Sequence, residues 1–187
     1  MLPLGTSAPT FSLPDISTGR IISLSNFSTS KGLLVAFLCA HCPYVIHIQS
    51  ELAAISRDFS EKSIDIVAIT SNDALTYPQD APTPTATFAK SAGFTFPFLY
   101  DESQSVAKAF TASCTPDFFL FNSLRNLVYR GQLDRSRPNS GIPDGADLRA
   151  ALLALLADQP INPDQKPSSG CGIKWKPTVD QHHSPVI

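Results

Sequence analysis

The sequence predicts an α/β domain whose core strands run parallel and are joined by helical crossovers, and three observations carry that reading. Apolar runs dense in β-formers alternate along the chain with longer amphipathic stretches. The two strongest runs, 33–38 and 64–69, are apolar at nearly every position, as strands buried on both faces are. The 187 residues, with 43% hydrophobic and 16% charged side chains, are enough for one core and lack the composition of a disordered chain.

The first convincing strand is Leu33-Leu34-Val35-Ala36-Phe37-Leu38. A helix follows, because Val45, Ile48, Leu52, Ile55 and Phe59 recur at steps of three and four and Pro43 suits a first helical turn. Ile64-Asp65-Ile66-Val67-Ala68-Ile69 is the next buried strand, followed by a connection rich in proline at Pro78, Pro82 and Pro84. A helix over 85–91 ends at Gly93, and a short helix over 103–110 leads to two strand-like runs, 118–121 and 127–130. Their separation by five residues, 122–126, fits a hairpin. An Ala- and Leu-rich helix over 146–157 closes the predicted domain, 1–157. From Asp158 the composition changes to five prolines, few aliphatics and one Gly-Cys-Gly island. Such a tail, 158–187, cannot build a core of its own. It is expected to dock on the domain through Trp175, the only tryptophan.

A net charge of −2 gives no electrostatic reason to expect nucleic acid or an anionic membrane as partner. No apolar stretch approaches the ~20 residues of a membrane span. The opening Met1-Leu2-Pro3-Leu4-Gly5-Thr6 lacks a basic region followed by an apolar one, so the chain is expected to be cytoplasmic. Four cysteines in a reducing compartment point to redox chemistry or metal binding rather than a structural disulfide framework. No phosphate loop, Ser-His-Asp signature or carboxylate pair with metal spacing occurs, and no organic cofactor is expected.

The chemistry is expected at Cys39-Ala40-His41-Cys42-Pro43. Cys42 stands where a strand hands over to a helix, so free backbone N–H groups and the helix dipole favour its thiolate. Cys39 offers a partner sulfur, and a protonated His41 would steady a thiolate. Two other readings stand beside this one: packed core thiols, or a zinc or copper site built from Cys39, Cys42, His41 or His47 and a distant cysteine. His182 and His183 near the end would bind metal only adventitiously.

The order of motifs resembles peroxiredoxin and thiol-specific-antioxidant domains of the thioredoxin superfamily. The likeness runs from Gly5-Thr6-Ser7-Ala8-Pro9-Thr10-Phe11-Ser12-Leu13-Pro14-Asp15 through Gly19 and Ser23-Leu24, and on through the strand into Cys42. A peroxiredoxin-like group is similar in four motifs, which here are Cys39 to Pro43, Cys114-Thr115-Pro116-Asp117-Phe118-Phe119, Gly131-Gln132-Leu133-Asp134-Arg135-Ser136-Arg137-Pro138 and Gly170-Cys171-Gly172-Ile173-Lys174-Trp175. The resemblance implies a thioredoxin fold, a central mixed sheet flanked by helices, with an N-terminal peroxiredoxin-like extension and a C-terminal tail. It also implies a cis bond between Thr115 and Pro116 facing Cys42, with Cys114 close by.

Two departures qualify the likeness. Cys42 matches thioredoxin's first, attacking cysteine, whereas Val45 stands at the second and Cys39 precedes the nucleophile. Against peroxiredoxins, Cys39 replaces an assisting threonine and Pro116 replaces an arginine, so efficient peroxidase activity is disfavoured unless Arg135 or Arg137 substitutes. The same arginines are candidates to hold an anionic substrate group, and Cys171 is a candidate resolving thiol. The expectation is a thiol–disulfide oxidoreductase in which Cys42 attacks and Cys39, Cys114 or Cys171 resolves. Its alternatives are a metal-binding protein, a weak thiol peroxidase and a silent binding domain. A disulfide-bearing protein or small thiol would be the substrate, with thioredoxin or glutathione as reductant. The oligomeric state is left open.

Overall fold

The computed structural model describes residues 2–177. Two short strands, β1 (Ser12–Pro14) and β2 (Ile21–Ser23), form an antiparallel hairpin ahead of the main sheet. Strand β3 (Gly32–Phe37) is followed by helix α1 (Pro43–Phe59), β4 (Ile64–Thr70), α2 (Pro82–Ala92), β5 (Phe98–Tyr100) and the short α3 (Ser105–Ala109). The chain continues through β6 (Cys114–Thr115), β7 (Asp117–Asn122), β8 (Leu127–Gly131), α4 (Ala146–Leu156) and β9 (Cys171–Gly172). The main sheet has the order β5-β4-β3-β7-β8, with β3, β4 and β5 parallel and β7 and β8 antiparallel. This is the mixed sheet of a thioredoxin fold. No helix among the described residues is long and apolar enough to cross a membrane.

Every residue of β3 is buried, because strand alternation sends its side chains into two different cores. Leu34, Ala36 and Leu38 pack with Val45, Leu52 and Ile55 of α1 and Leu148 and Leu152 of α4. Leu33, Val35 and Phe37 face a second cluster containing Phe110, Phe119 and Phe121. There Phe37, Phe110 and Phe119 meet edge to face with centroids 5.4–5.8 Å apart.

The predicted long elements are present, and four details differ. Helix α2 begins at Pro82 rather than 85, since Pro82 and Pro84 fall in its first turn, where a missing N–H costs nothing. Strands β1, β2 and β5 have only three residues each, too few for a periodic signal. The short helix predicted over 103–110 covers only Ser105–Ala109. Trp175 is 43% exposed, with Lys108 over its ring, and is not the buried anchor expected of it. The buried tail side chain is Ile173.

Past α4 the tail runs along the free edge of β8. The Gln165 carboxamide accepts from Arg130 N and donates to Val128 O, Gln132 N donates to Lys166 O, and Ser168 Oγ donates to Gly131 O. These bonds satisfy an edge strand that would otherwise offer its backbone to another chain. Gly131, at φ +144°, is required here because a Cβ would overlap the Lys166 carbonyl.

Candidate active site

The register of β3 against β7 builds the site. Phe37 pairs with Asp117, so β3 running on to Cys39 and β7 running back through Pro116 bring Cys39 opposite Thr115. Their side chains touch, with Cys39 Sγ 3.1 Å from Thr115 Oγ1. The Thr115–Pro116 peptide bond is cis, and Thr115 O accepts from the Cys42 thiol at 3.1 Å. Pro43 opens α1 directly after Cys42, which is the helix N-cap residue.

All four cysteines are free: Cys39, Cys42 and Cys114 are buried and Cys171 is half-buried. The Cys42 thiol is held down to about 4 from an ordinary 9.0. The neighbouring Cys39 thiol is the largest cause; burial opposes it, and Cys171, the Thr115 hydroxyl and the Val45 N–H add to it. Cys39 moves the opposite way, far upward, because of the neighbouring Cys42 sulfur and its own desolvation. Burial pushes Cys171 up to about 11 and Cys114 to about 12. Of the four sulfurs, Cys42 is the one shifted toward its thiolate.

Asp80 is a site residue that sequence reasoning missed. It ends a turn of 3₁₀ helix, Pro78–Asp80, and is fully buried, with Oδ1 accepting from Ala40 N at 3.1 Å and Oδ2 from Asn72 Nδ2 at 2.8 Å. His41 Nδ1 lies 2.7 Å from Asp80 Oδ2, off the hydrogen-bond direction, and the imidazole stacks on Tyr77 with an interplanar angle of 2°. An acidic residue in a proline-rich connection, about forty positions from the cysteines, leaves no periodic mark in the sequence.

Cys39, His41 and Asp80 each bring one ligand atom within 4.8 Å of the others, and these are the residues that could hold a metal. His47 is not among them, since its Nε2 lies 2.9 Å from Ser136 Oγ, which donates to Asp134 Oδ1. His182 and His183 lie outside the described residues.

Cys171 pairs with Thr115, and Gly172 with Cys114, across β6 and β9. The Cys114 thiol donates to Pro116 O at 3.7 Å. Among the described residues, neither Arg135 nor Arg137 is hydrogen-bonded to a cysteine. Arg137 donates to Asp134 O, Ser136 O and Gln132 Oε1, on the wall of a groove that includes Tyr44, His47 and Pro116. Arg135 is exposed at the mouth of a different cavity, with Tyr129, Asp147 and Lys166.

The comparisons with known proteins agree with this architecture. An uncharacterized protein from Geobacillus kaustophilus is 48% identical over 96% of this chain and 95% of its own, with a TM-score of 0.93. A hypothetical protein from Sinorhizobium meliloti 1021 is 45% identical over 94% and 96%, with a TM-score of 0.91. The peroxidoxin BcpB of Mycobacterium tuberculosis shares the fold at 21% identity, a TM-score of 0.63, and coverage of 84% and 98%. No curated protein matches by sequence. Residues 3–152 match the Redoxin family model, and the chain belongs to the redoxin family.

Proposed function

We propose that this redoxin is a thiol–disulfide oxidoreductase in which Cys42 attacks and Cys39 resolves. The observation that carries the reading is a low-pKa sulfur at the start of α1 that contacts Thr115, beside the cis Thr115–Pro116 bond, with the Cys39 sulfur against the same threonine. The Cys42 thiolate attacks one sulfur of the substrate disulfide, that bond breaks, and the leaving sulfur departs as a thiolate that takes a proton from solvent. Cys39 then loses its proton and attacks Cys42 Sγ, which releases the second substrate thiol and leaves a Cys39–Cys42 disulfide. Two electrons pass to the substrate, and a dithiol or glutathione-type reductant restores the pair.

Cys39 is preferred to Cys171 as resolving thiol because it sits at the end of the central strand, whereas Cys171 rides on the tail. Asp80 and His41 stand beside Cys39, where its proton must leave. Disulfide exchange is preferred to peroxide reduction because neither Arg135 nor Arg137 bonds near Cys42, and a peroxide needs fixed donors for its leaving oxygen. Mass-spectrometric mapping after a brief pulse of a small disulfide is expected to show Cys39 linked to Cys42. A predominant bond to Cys114 would reject the assignment.

A second reading, zinc or copper held by Cys39, His41 and Asp80, is favoured by the convergence of three different donor types. Elemental analysis of untagged, reduced protein separates the two, since a metal protein would carry one ion per chain that is lost in Asp80→Asn.

A further inference from the structure

Cys42 is the reactive thiol, yet its exposure is 0%. The tail contributes to that closure. Cys171 and Gly172 cover the free edge of β6, Ile173 N donates to Ser113 O, and the Ile173 side chain joins the apolar cluster that includes Phe110 and Ala112. Beyond it, Lys174 O accepts from Asp73 N and Gln104 Nε2, Lys174 N donates to Asn72 Oδ1, and Lys176 N donates to Gln104 Oε1. Apart from Ile173, the half-buried Cys171 and the contacts of Lys108 with Trp175 and Lys174 with Tyr77, the hold is made by hydrogen bonds that water can replace. A segment attached in this way opens more readily than a core strand.

Two further features define what can lie on that edge. The pairing between β6 and β9 is antiparallel and made by backbone, with Cys171 seated beside the Cys42 sulfur. Gly170 crosses Thr115 and Pro116 so closely that a Cβ would overlap the Thr115 carbonyl, a backbone atom that cannot swing aside.

Resting on the thiol–disulfide reading above, we propose that the substrate is an extended polypeptide that displaces the tail and pairs with the β6 edge, presenting a disulfide-bonded cysteine preceded by glycine in the place of Gly170-Cys171. Main-chain hydrogen bonds to β6 bind the strand, and the missing Cβ selects its sequence. The tail is the intramolecular occupant of the same groove. It shields Cys42 from small disulfides and keeps Cys171, a weak nucleophile with its thiol near 11, at the mouth. Cys42 attacks the substrate cysteine's sulfur, the group disulfide-bonded to it leaves as a thiolate, and Cys39 then frees the peptide thiol as described.

The test uses the reduced full-length chain and three mixed disulfides of thionitrobenzoate, followed by release of the coloured thiolate. One is made on the peptide Gly-Cys-Gly-Ile-Lys-Trp, one on the same peptide with valine in the first position, and one on 2-mercaptoethanol. The glycine peptide is expected to react about tenfold faster than the valine peptide, with the small probe slower than the glycine peptide. In Gly170→Val, whose tail cannot close, the small probe is expected to gain about tenfold. Equal rates for the two peptides, or an unchanged small-probe rate in Gly170→Val with the fold intact by circular dichroism, would overturn the proposal. Cys42→Ser keeps the two ideas separable. If release persists undiminished in that variant, the thiol–disulfide reading fails, whereas release that needs Cys42 but ignores peptide sequence removes only the strand-docking inference.

Discussion

The junction carrying Cys39 and Cys42 and the tail carrying Cys171 meet at the same Thr115–Pro116 turn, and different forces hold them there. The junction lies between a strand buried at all six positions and a 17-residue helix that buries Val45, Ile48, Leu52, Ile55 and Phe59. Each such side chain contributes roughly 1.5–3 kcal/mol, so the sulfurs of Cys39 and Cys42 cannot part without opening the core. The tail over 170–176 has one buried apolar side chain, Ile173, a half-buried Cys171 against the core, Lys108 over the exposed Trp175, and hydrogen bonds from its backbone to β6, Asn72 and Gln104. The proposed reactivity thus belongs to the rigid region, and the proposed control of access to the tail.

The largest expected effect sits on the rigid side. Cys42→Ser should lower disulfide reductase turnover by about 10³-fold, with Cys114→Ser within about twofold of wild type. Steady-state assays with an insulin-type disulfide substrate would show it, and equal damage from the two substitutions would contradict a single nucleophile. Asp80→Asn removes the buried charge beside Cys39 and His41 and leaves Cys42 in place. It should slow release of the mixed disulfide by about tenfold while the first attack keeps its rate, a split that rapid-mixing kinetics resolves.

The pH dependence follows from the same sulfurs. Native Cys42 gives up its proton near 4 and an unfolded cysteine near 9.0, so between these values the unfolded chain binds more protons. This group's contribution to the stability of the reduced chain therefore rises with pH across that window, is complete above 9.0, and is lost as pH falls toward 4. Thiolate ultraviolet absorbance should disappear in the acid range in wild type and be missing at neutral pH in Cys42→Ser. The thiols raised by burial, Cys171 and Cys114, act with the opposite sign, and only above 9.0.

The smallest effect concerns the tail. Ile173→Ala should loosen 170–176 by about 2 kcal/mol, seen as faster amide exchange there, with the melting of the sheet nearly unchanged. A global loss of stability would mean that the tail is part of the core, and the contrast between the two regions would fall.

Much of this was legible without coordinates, and the limits have physical causes. The two buried strands, helices α1 and α4 and the hairpin of β7 and β8 announce themselves through local periodicity, which needs only neighbouring residues. Strands β1, β2, β5 and β9 have two or three residues each, too few for a period, and β5 and β9 exist only because a distant partner supplies their hydrogen bonds. Pro82 and Pro84 read as breakers because the same residue that ends a helix also suits its first turn. Trp175 looked like an anchor by size, yet Ile173, two residues earlier and just past β9, is the side chain that is buried.

The sequence by itself determined the fold class and the position of Cys42 at a strand-to-helix junction, where local chemistry alone favours a thiolate. Only the tertiary structure decided the company that thiolate keeps. Cys39 and Thr115 come together through the register of β3 and β7, Asp80 through the return of a proline-rich loop, and Cys171 through a pairing of two-residue strands. Register and loop return are set by packing across the whole sheet, and no short stretch of sequence contains them.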